Sequence, residues 1–135
     1  MKYGYIGLGN LGGHLAASLL RNGFDVTVND IDKNLAARHL KAGGKWADTP
    51  KLLAEKVDCV ITCLPSPAIS EKVLAQVLEG LKPGSTWIEM STLGRDEIQR
   101  LAKLAGAKGM RTMEAPVTGG VHLAAKGSRY DLIHI

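Results

Sequence analysis

The sequence predicts an α/β fold in which a doubly wound, mostly parallel sheet carries helices on both faces, making three layers. Three observations indicate it. Strand-like and helix-like patterns alternate along the chain from its first residues. Residues 57–64 (VDCVITCL) are rich in β-branched residues and apolar on both faces, which is typical of a central parallel strand. A glycine-rich turn at 7–12 joins the first strand to the first helix.

The first strand and helix are predicted from a change in hydrophobic period. Residues 3–7 form a short apolar run, after which leucines recur every four residues until Asn22-Gly23. Asparagine followed by glycine is a common helix stop, so the helix is expected to end there. Residues 25–29 (DVTVN) then predict the second strand.

The next elements are shorter. Asp32 is suited to cap a second helix that ends at Gly43-Gly44. Residues 45–47 predict a brief third strand. Thr49-Pro50 supplies the cap and first-turn residue of a short helix that runs to about residue 56.

The second half of the chain repeats the alternation. After the strand at 57–64, Ser66-Pro67 opens a helix with one apolar face that closes at Gly80. Residues 86–90 predict the next strand, and apolar residues between 98 and 105 mark the helix that follows. Residues 110–113 predict a sixth strand. With no linker or repeat, the chain is predicted to be one domain, 1–135.

Length, charge and residue spacing exclude several classes of function. The chain has 135 residues and a net charge of +4, with 8 basic against 6 acidic residues before residue 68 and 9 against 7 after it. Such an even distribution predicts no nucleic-acid partner, since that function needs a concentrated basic face. No apolar run approaches the roughly 20 residues of a membrane span, so no membrane partner is expected. The residues also show no metal-ligand spacing.

The compartment is predicted from the N-terminus and the cysteines. Met1-Lys2-Tyr3 passes directly into a strand without a leader-like segment. Cys59 and Cys63 would lie roughly 13 Å apart in one strand, too far for a disulfide. Reduced thiols and the missing leader pattern predict a cytoplasmic location.

The turn at residues 7–12 reads Gly-Leu-Gly-Asn-Leu-Gly, the G-x-G-x-x-G pattern of a dinucleotide-binding turn. Gly7 would permit the tight turn, Gly9 would let a pyrophosphate approach the backbone, and Gly12 would let the helix pack against the strand. The N–H groups of the helix start favour phosphate. A glycine turn that only packs is the alternative. The predicted cofactor-binding residues here are Gly7, Leu8, Gly9, Asn10, Leu11 and Gly12.

The end of the second strand is expected to bind the adenosine ribose through Asn29 and Asp30. A carboxylate there accepts hydrogen bonds from ribose hydroxyls and repels a 2′-phosphate. Because neither Ile31 nor Asp32 supplies a guanidinium for that phosphate, NAD is predicted over NADP. In the alternative interpretation, Asp30 only caps the following helix, although Asp32 already suits that role.

Four motifs in order resemble the β-hydroxyacid dehydrogenases, the family of 3-hydroxyisobutyrate dehydrogenase and, more distantly, 6-phosphogluconate dehydrogenase. They are GYIGLGNLG (4–12), CLPSP (63–67), EMST (89–92) and EAPVTGG (114–120), and the resemblance covers residues 1–127. It implies a Rossmann-type domain of an enzyme that transfers hydride between a nicotinamide dinucleotide and a small 3-hydroxy acid.

The resemblance also implies roles for particular residues. Leu64 and Pro65 would lie beside the cofactor, and Thr92 near the nicotinamide ribose. Thr118, Gly119 and Gly120 would bind the carboxylate of the substrate. The alternatives are a strand end broken by proline, a helix cap at Thr92, and an ordinary loop at 118–120.

One departure from the family bears on activity. The resemblance implies a catalytic lysine in a second, helical domain, which the 135 residues do not include; Lys126 does not match it. No catalytic residue is therefore expected in this chain, which should bind NAD with negligible turnover. An apolar face left uncovered could favour a homodimer. A non-catalytic sensor or scaffold module and another Rossmann enzyme, such as an imine reductase, remain alternatives.

Overall fold

The computed structural model describes residues 1–115 as a six-stranded parallel sheet flanked by helices. The strand order is β3-β2-β1-β4-β5-β6, which is the doubly wound order predicted from the alternation. The strands are β1 (Lys2–Ile6), β2 (Asp25–Asn29), β3 (Lys45–Trp46), β4 (Cys59–Thr62), β5 (Thr86–Glu89) and β6 (Arg111–Glu114).

Five α-helices flank the described sheet, and two of them begin at hydroxyl caps. They are α1 (Asn10–Arg21), α2 (Ala37–Lys41, preceded by a 3₁₀ turn, Lys33–Ala36), α3 (Pro50–Glu55), α4 (Pro67–Gly80) and α5 (Arg95–Ala107). Thr49 and Ser66 cap α3 and α4 through their hydroxyls, which accept from Leu52 N–H at 3.1 Å and Ile69 N–H at 3.3 Å. Within residues 1–115, no helix is long and apolar enough to cross a bilayer.

Two cores confirm the three-layer arrangement. On one face of the sheet, Tyr5 and Val28 pack with Leu15 of α1. On the other face, Trp87 is fully buried among side chains of α3, α4 and α5, including Leu53 and Leu101. Both faces of the central strands are therefore covered, which explains why β4 reads as a continuous apolar run.

The predicted strand at 57–64 is longer than the strand that forms. β4 itself is Cys59–Thr62, although Asp58 before it still donates its N–H to the Lys2 carbonyl at 2.8 Å. Cys63 still donates its N–H to the Ile6 carbonyl at 3.0 Å, and both Cys63 and Leu64 line a cavity at the end of β4. The apolar character of these two residues thus reflects the cavity as well as the sheet.

The strand order changes direction at β1. β1 pairs with β2 on one side and β4 on the other, with Ile6 opposite Asn29 and Thr62. The crossover helices therefore leave to opposite faces, and a crevice opens at the carboxyl ends of β1 and β4. In open α/β sheets, ligands bind at this position.

Candidate functional site

A cavity of about 840 Å³ occupies the crevice at the carboxyl ends of the strands. Its walls come from the glycine turn, the ends of β2, β4 and β5, and one face of α4. All but one of the residues predicted to bind a cofactor line it. They are Gly7, Gly9, Asn10, Leu11, Gly12, Asn29, Asp30, Leu64, Pro65 and Thr92.

The structure gives a different reason for a glycine at each of the three glycine positions of the turn. Gly7 has a φ of 104°, and a Cβ there would collide with the Cys63 carbonyl oxygen. A Cβ on Gly12 would collide with the Gly7 carbonyl oxygen, so α1 could not approach the turn. A Cβ on Gly9, in contrast, would meet no atom within 4 Å. Packing therefore explains Gly7 and Gly12, whereas the space beside Gly9 belongs to the cavity.

The N-terminus of α1 faces this space without a side-chain cap. Its N-cap is Gly9, and its first turn carries no acidic residue. By comparison, α5 has Asp96 and Glu97 in its first turn, and α3 and α4 have hydroxyl caps. The first N–H groups and the positive end of the α1 dipole thus face the cavity, an arrangement that binds anions.

Asp30 ties the glycine turn to the end of β2. Its Oδ2 accepts from Leu8 N–H at 2.7 Å, and its Oδ1 accepts from Asp32 N–H at 2.9 Å. Asp32 caps the following 3₁₀ turn by accepting from Asn34 N–H at 3.0 Å, so helix capping does not need Asp30. The half-buried Asp30 carboxylate lines the cavity and keeps lone pairs for a ligand.

Leu8 and Asn29 have structural contacts that the sequence did not indicate. The Leu8 side chain is buried in the core and does not line the cavity, and its N–H is bound to Asp30. Asn29 is buried and donates from Nδ2 to the Ala47 carbonyl at 2.8 Å, which joins the ends of β2 and β3. A role for either residue in cofactor binding stays a prediction.

The ends of β4 and β5 form the opposite wall and are joined by hydrogen bonds. The Ser91 hydroxyl accepts from Leu64 N–H at 2.7 Å, and Met90 N–H donates to the Thr62 carbonyl at 2.8 Å. Thr92 is exposed at this wall, and the N-cap of α5 is Gly94, so Thr92 is not a helix cap. Leu64 and Pro65 follow directly after β4 and line the cavity.

Sequence reasoning missed one whole side of the cavity. Four residues of α4, spaced so that they share one helix face, line it, together with the loop before α3 and the fully exposed Ile31. The α4 residues are Ile69, Lys72, Val73 and Gln76, and the loop residues are Asp48, Thr49 and Pro50. The helical spacing was visible in the sequence, but the face it presents to the crevice follows only from the sheet order.

The thiol at the cavity wall is held neutral. Burial raises the pKa of Cys63 to about 11, the nearby Glu89 raises it further, and a hydrogen bond with Tyr5 opposes them. A thiol with that pKa is a weak nucleophile at neutral pH, so the site offers no activated cysteine. Among residues 1–115, no cluster of His, Cys, Asp and Glu is placed to hold a metal ion.

The predicted substrate-binding residues Thr118, Gly119 and Gly120 lie outside the described residues. Their role stays a prediction. The described cavity therefore contains residues that were predicted to bind the cofactor, and none that were predicted to bind the substrate.

Comparison with protein families agrees with the geometry of the cavity. Residues 2–130 match the model of the NAD binding domain of 6-phosphogluconate dehydrogenase. The chain is 36% identical over 128 residues to mitochondrial 3-hydroxyisobutyrate dehydrogenase of Rattus norvegicus, covering 93% of this chain and 38% of that protein. It is 30% identical over 129 residues to the human cytokine-like nuclear factor N-PAC, covering 93% of this chain and 23% of that protein.

A solved structure shows the same fold. The 3-hydroxyisobutyrate dehydrogenase of Mycobacterium tuberculosis, solved with L-serine, superposes with a TM-score of 0.89 at 29% identity. The match covers 93% of this chain and 43% of that chain. The chain thus spans less than half the length of each of these proteins.

Proposed function

The chain belongs to the family defined by the NAD-binding domain of 6-phosphogluconate dehydrogenase, and we propose that its cavity binds a nicotinamide dinucleotide for hydride transfer. One observation carries the proposal. The space beside Gly9 is empty of protein atoms and faces the uncapped N-terminus of α1. An anion fits there and an apolar ligand does not, because unpaired N–H groups need an acceptor.

In this proposal, each part of the dinucleotide is assigned to a different group of cavity residues. The backbone at Gly9, Asn10 and Leu11 would hold the pyrophosphate at the start of α1. Asp30 would accept hydrogen bonds from the adenosine ribose while it keeps its own bond to Leu8 N–H. Leu64 and Pro65 would lie beside the adenine ribose and the pyrophosphate, and Thr92 near the nicotinamide ribose. When bound, the nicotinamide supplies the carbon that accepts or gives the hydride.

We propose NAD as the preferred cofactor over NADP. The Asp30 carboxylate lines the cavity, and the next residue, Ile31, is apolar and fully exposed. A 2′-phosphate would bring its charge close to this carboxylate. At about 4 Å, two unit charges repel by roughly 1 to 4 kcal/mol between water and a protein surface. Such a repulsion is enough for a preference of about fivefold or more.

In the complete protein, we propose that the substrate is a small 3-hydroxy acid, with Thr118, Gly119 and Gly120 at its carboxylate. The 36% identity to the rat enzyme supports this assignment, and the motif at 114–120 carries it. Proton transfer is assigned to a lysine beyond these 135 residues, so the chain alone should bind cofactor without appreciable turnover. The cytoplasmic location and a homodimer stay predictions.

Calorimetric titration of the chain with NADH tests the proposal. We expect saturable binding of one NADH per chain, and an increase in affinity for 3-hydroxyisobutyrate once NAD⁺ is bound, because two ligands of one site affect each other reciprocally. Absence of NADH binding would contradict the dinucleotide site. Robust oxidation of the hydroxy acid by the chain alone would contradict the assignment of the proton-transfer group.

A non-catalytic nucleotide-binding module is the second candidate, and the likeness to N-PAC, which is named as a nuclear factor, favours it. The same titration separates the two. A module of this kind would bind NADH with no effect of the hydroxy acid, whereas the dehydrogenase proposal requires the coupling.

A further inference from the structure

Beneath the wall formed by the ends of β4 and β5 lies a buried acid, Glu89, with no role in the site so far. Building on the proposed dinucleotide site, we propose that Glu89 is a positioning residue that acts through Ser91. As a neutral carboxylic acid it holds this wall in the binding arrangement, and its ionisation weakens dinucleotide binding.

A chain of hydrogen bonds connects the acid to the cavity. Glu89 is the last residue of β5, is 0% exposed, and accepts from Ser91 N–H at Oε1 over 2.8 Å. Ser91 in turn accepts from Leu64 N–H at its hydroxyl over 2.7 Å. Ser91 and Leu64 both line the cavity, and the Glu89 side chain does not. The acid therefore sets the position of both wall segments without contacting the ligand.

The second carboxyl oxygen is placed to carry a proton. In the described part of the chain, Glu89 Oε2 is buried without a hydrogen-bond partner, and so is the Ser70 hydroxyl of the neighbouring helix α4. Burial raises the pKa of Glu89, although the hydroxyls of Ser91, Thr62 and Ser70 favour its ionised form. A protonated Oε2 becomes a donor, which matches the acceptor capacity of the nearby hydroxyls.

The described residues around Glu89 provide no positive charge for its ionised form. Burial raises the pKa of Tyr5 on β1 and of Cys63 after β4, so both groups are neutral at physiological pH. The register partner on β6 is the exposed carboxylate of Glu114. The buried side chains of α5 are apolar, and those of α4, which include Ser70, carry no charge. Among residues 1–115, no Lys, Arg or His contributes to the pKa of Glu89.

Ionisation of Glu89 has two opposing effects on the wall of the cavity. Ionisation would strengthen the bond from Ser91 N–H, but a buried charge without a cationic partner costs more than its neutral hydrogen-bond donors return. We therefore expect water to enter and hydrate the ionised carboxylate, and this water separates Ser91 from Leu64. The ligand is itself an anion, so it also disfavours a second negative charge beneath the wall. Affinity should fall as the pH rises through the pKa of Glu89.

NADH titrations between pH 5.5 and 9 test the inference. We expect the affinity of the unmodified chain to fall at least tenfold as the pH rises through the raised pKa of Glu89. Glu89→Gln keeps the shape, stays neutral and retains a donor, so its affinity should stay flat near the low-pH value of the unmodified chain. Glu79→Gln, which removes an exposed carboxylate from α4, should keep the original slope. A purely structural role would lower affinity in Glu89→Gln at every pH without changing the slope.

A second variant and a second measurement separate the possible failures. Ser70→Ala removes a hydroxyl that favours the ionised form, so the midpoint of the affinity profile should move to higher pH. The free energy of unfolding of the unmodified chain should fall as the pH rises from the unfolded pKa of glutamate towards the raised folded value, and that of Glu89→Gln should not.

Equal affinity slopes in the unmodified chain and Glu89→Gln, or a flat profile for the unmodified chain, would overturn the inference. So would equal pH dependence of unfolding in the two proteins. If NADH does not bind at any pH while the unfolding profiles still differ, the dinucleotide proposal fails, and with it the effect on binding, whereas the titration of Glu89 stands.

Discussion

Gly9→Ala should weaken NADH binding at least tenfold while it leaves the free energy of unfolding within about 0.5 kcal/mol of the unmodified chain. A Cβ at this position meets no protein atom within 4 Å, and the backbone φ of −66° is accessible to alanine. The methyl group enters the space that we assign to the pyrophosphate. Isothermal titration with NADH and chemical unfolding measure the two quantities.

Gly12→Ala is the matched control from the same turn. Its Cβ would collide with the Gly7 carbonyl oxygen, which belongs to the backbone and cannot move aside as a side chain would. We expect a loss of about 1 to 3 kcal/mol of folding free energy or more, as found for overpacked cores. The account would be contradicted if Gly9→Ala bound NADH normally, or if the two variants lost the same stability.

Asp30→Asn should remove most of the preference for NADH over NADPH. The unmodified chain is expected to bind NADH more tightly than NADPH by about fivefold or more, because the carboxylate repels the 2′-phosphate. In the variant, this ratio should fall to within about threefold, since the charge term is gone while the size of the side chain is kept. One of the bonds to Leu8 N–H and Asp32 N–H is also lost, which costs about 1 kcal/mol of stability.

Asp25→Asn provides the control on the same strand. Asp25 lies at the opposite end of β2 and forms an exposed salt bridge with Lys45 at 3.3 Å, which contributes little to stability. Its cofactor ratio should equal that of the unmodified chain. A preference that survives Asp30→Asn, or one lost equally in both variants, would show that Asp30 does not select the cofactor.

Local patterns in the sequence predicted the fold well. The second strand was predicted at 25–29, the range in which β2 forms, because its flanking turn residues and its short length agree. The different roles of Gly7 and Gly12 were also predictable, since a strand-to-helix turn leaves room for only a few backbone geometries. Short-range chemistry decides all of these features.

Features that depend on long-range placement were not predicted. The pattern around Leu8 suggests a loop residue near the ligand, yet its side chain is buried and its N–H is bound by Asp30. A glutamate side chain is typically solvent-exposed, but Glu89 at the end of β5 is fully buried. The burial of both residues depends on which helices and strands pack together. The order of the strands in the sheet decides that packing, and the local sequence does not show it.

Amide chemical shifts of the isotopically labelled chain during titration with NADH test the central claim most directly. If the pyrophosphate binds at the start of α1, the largest shifts should occur at the amides of Gly9, Asn10, Leu11 and Gly12, because a phosphate oxygen deshields the N–H that donates to it. Amides at the exposed start of α5, around Arg95, should not shift. Binding of NADH with unchanged shifts at residues 9–12 would contradict the claim.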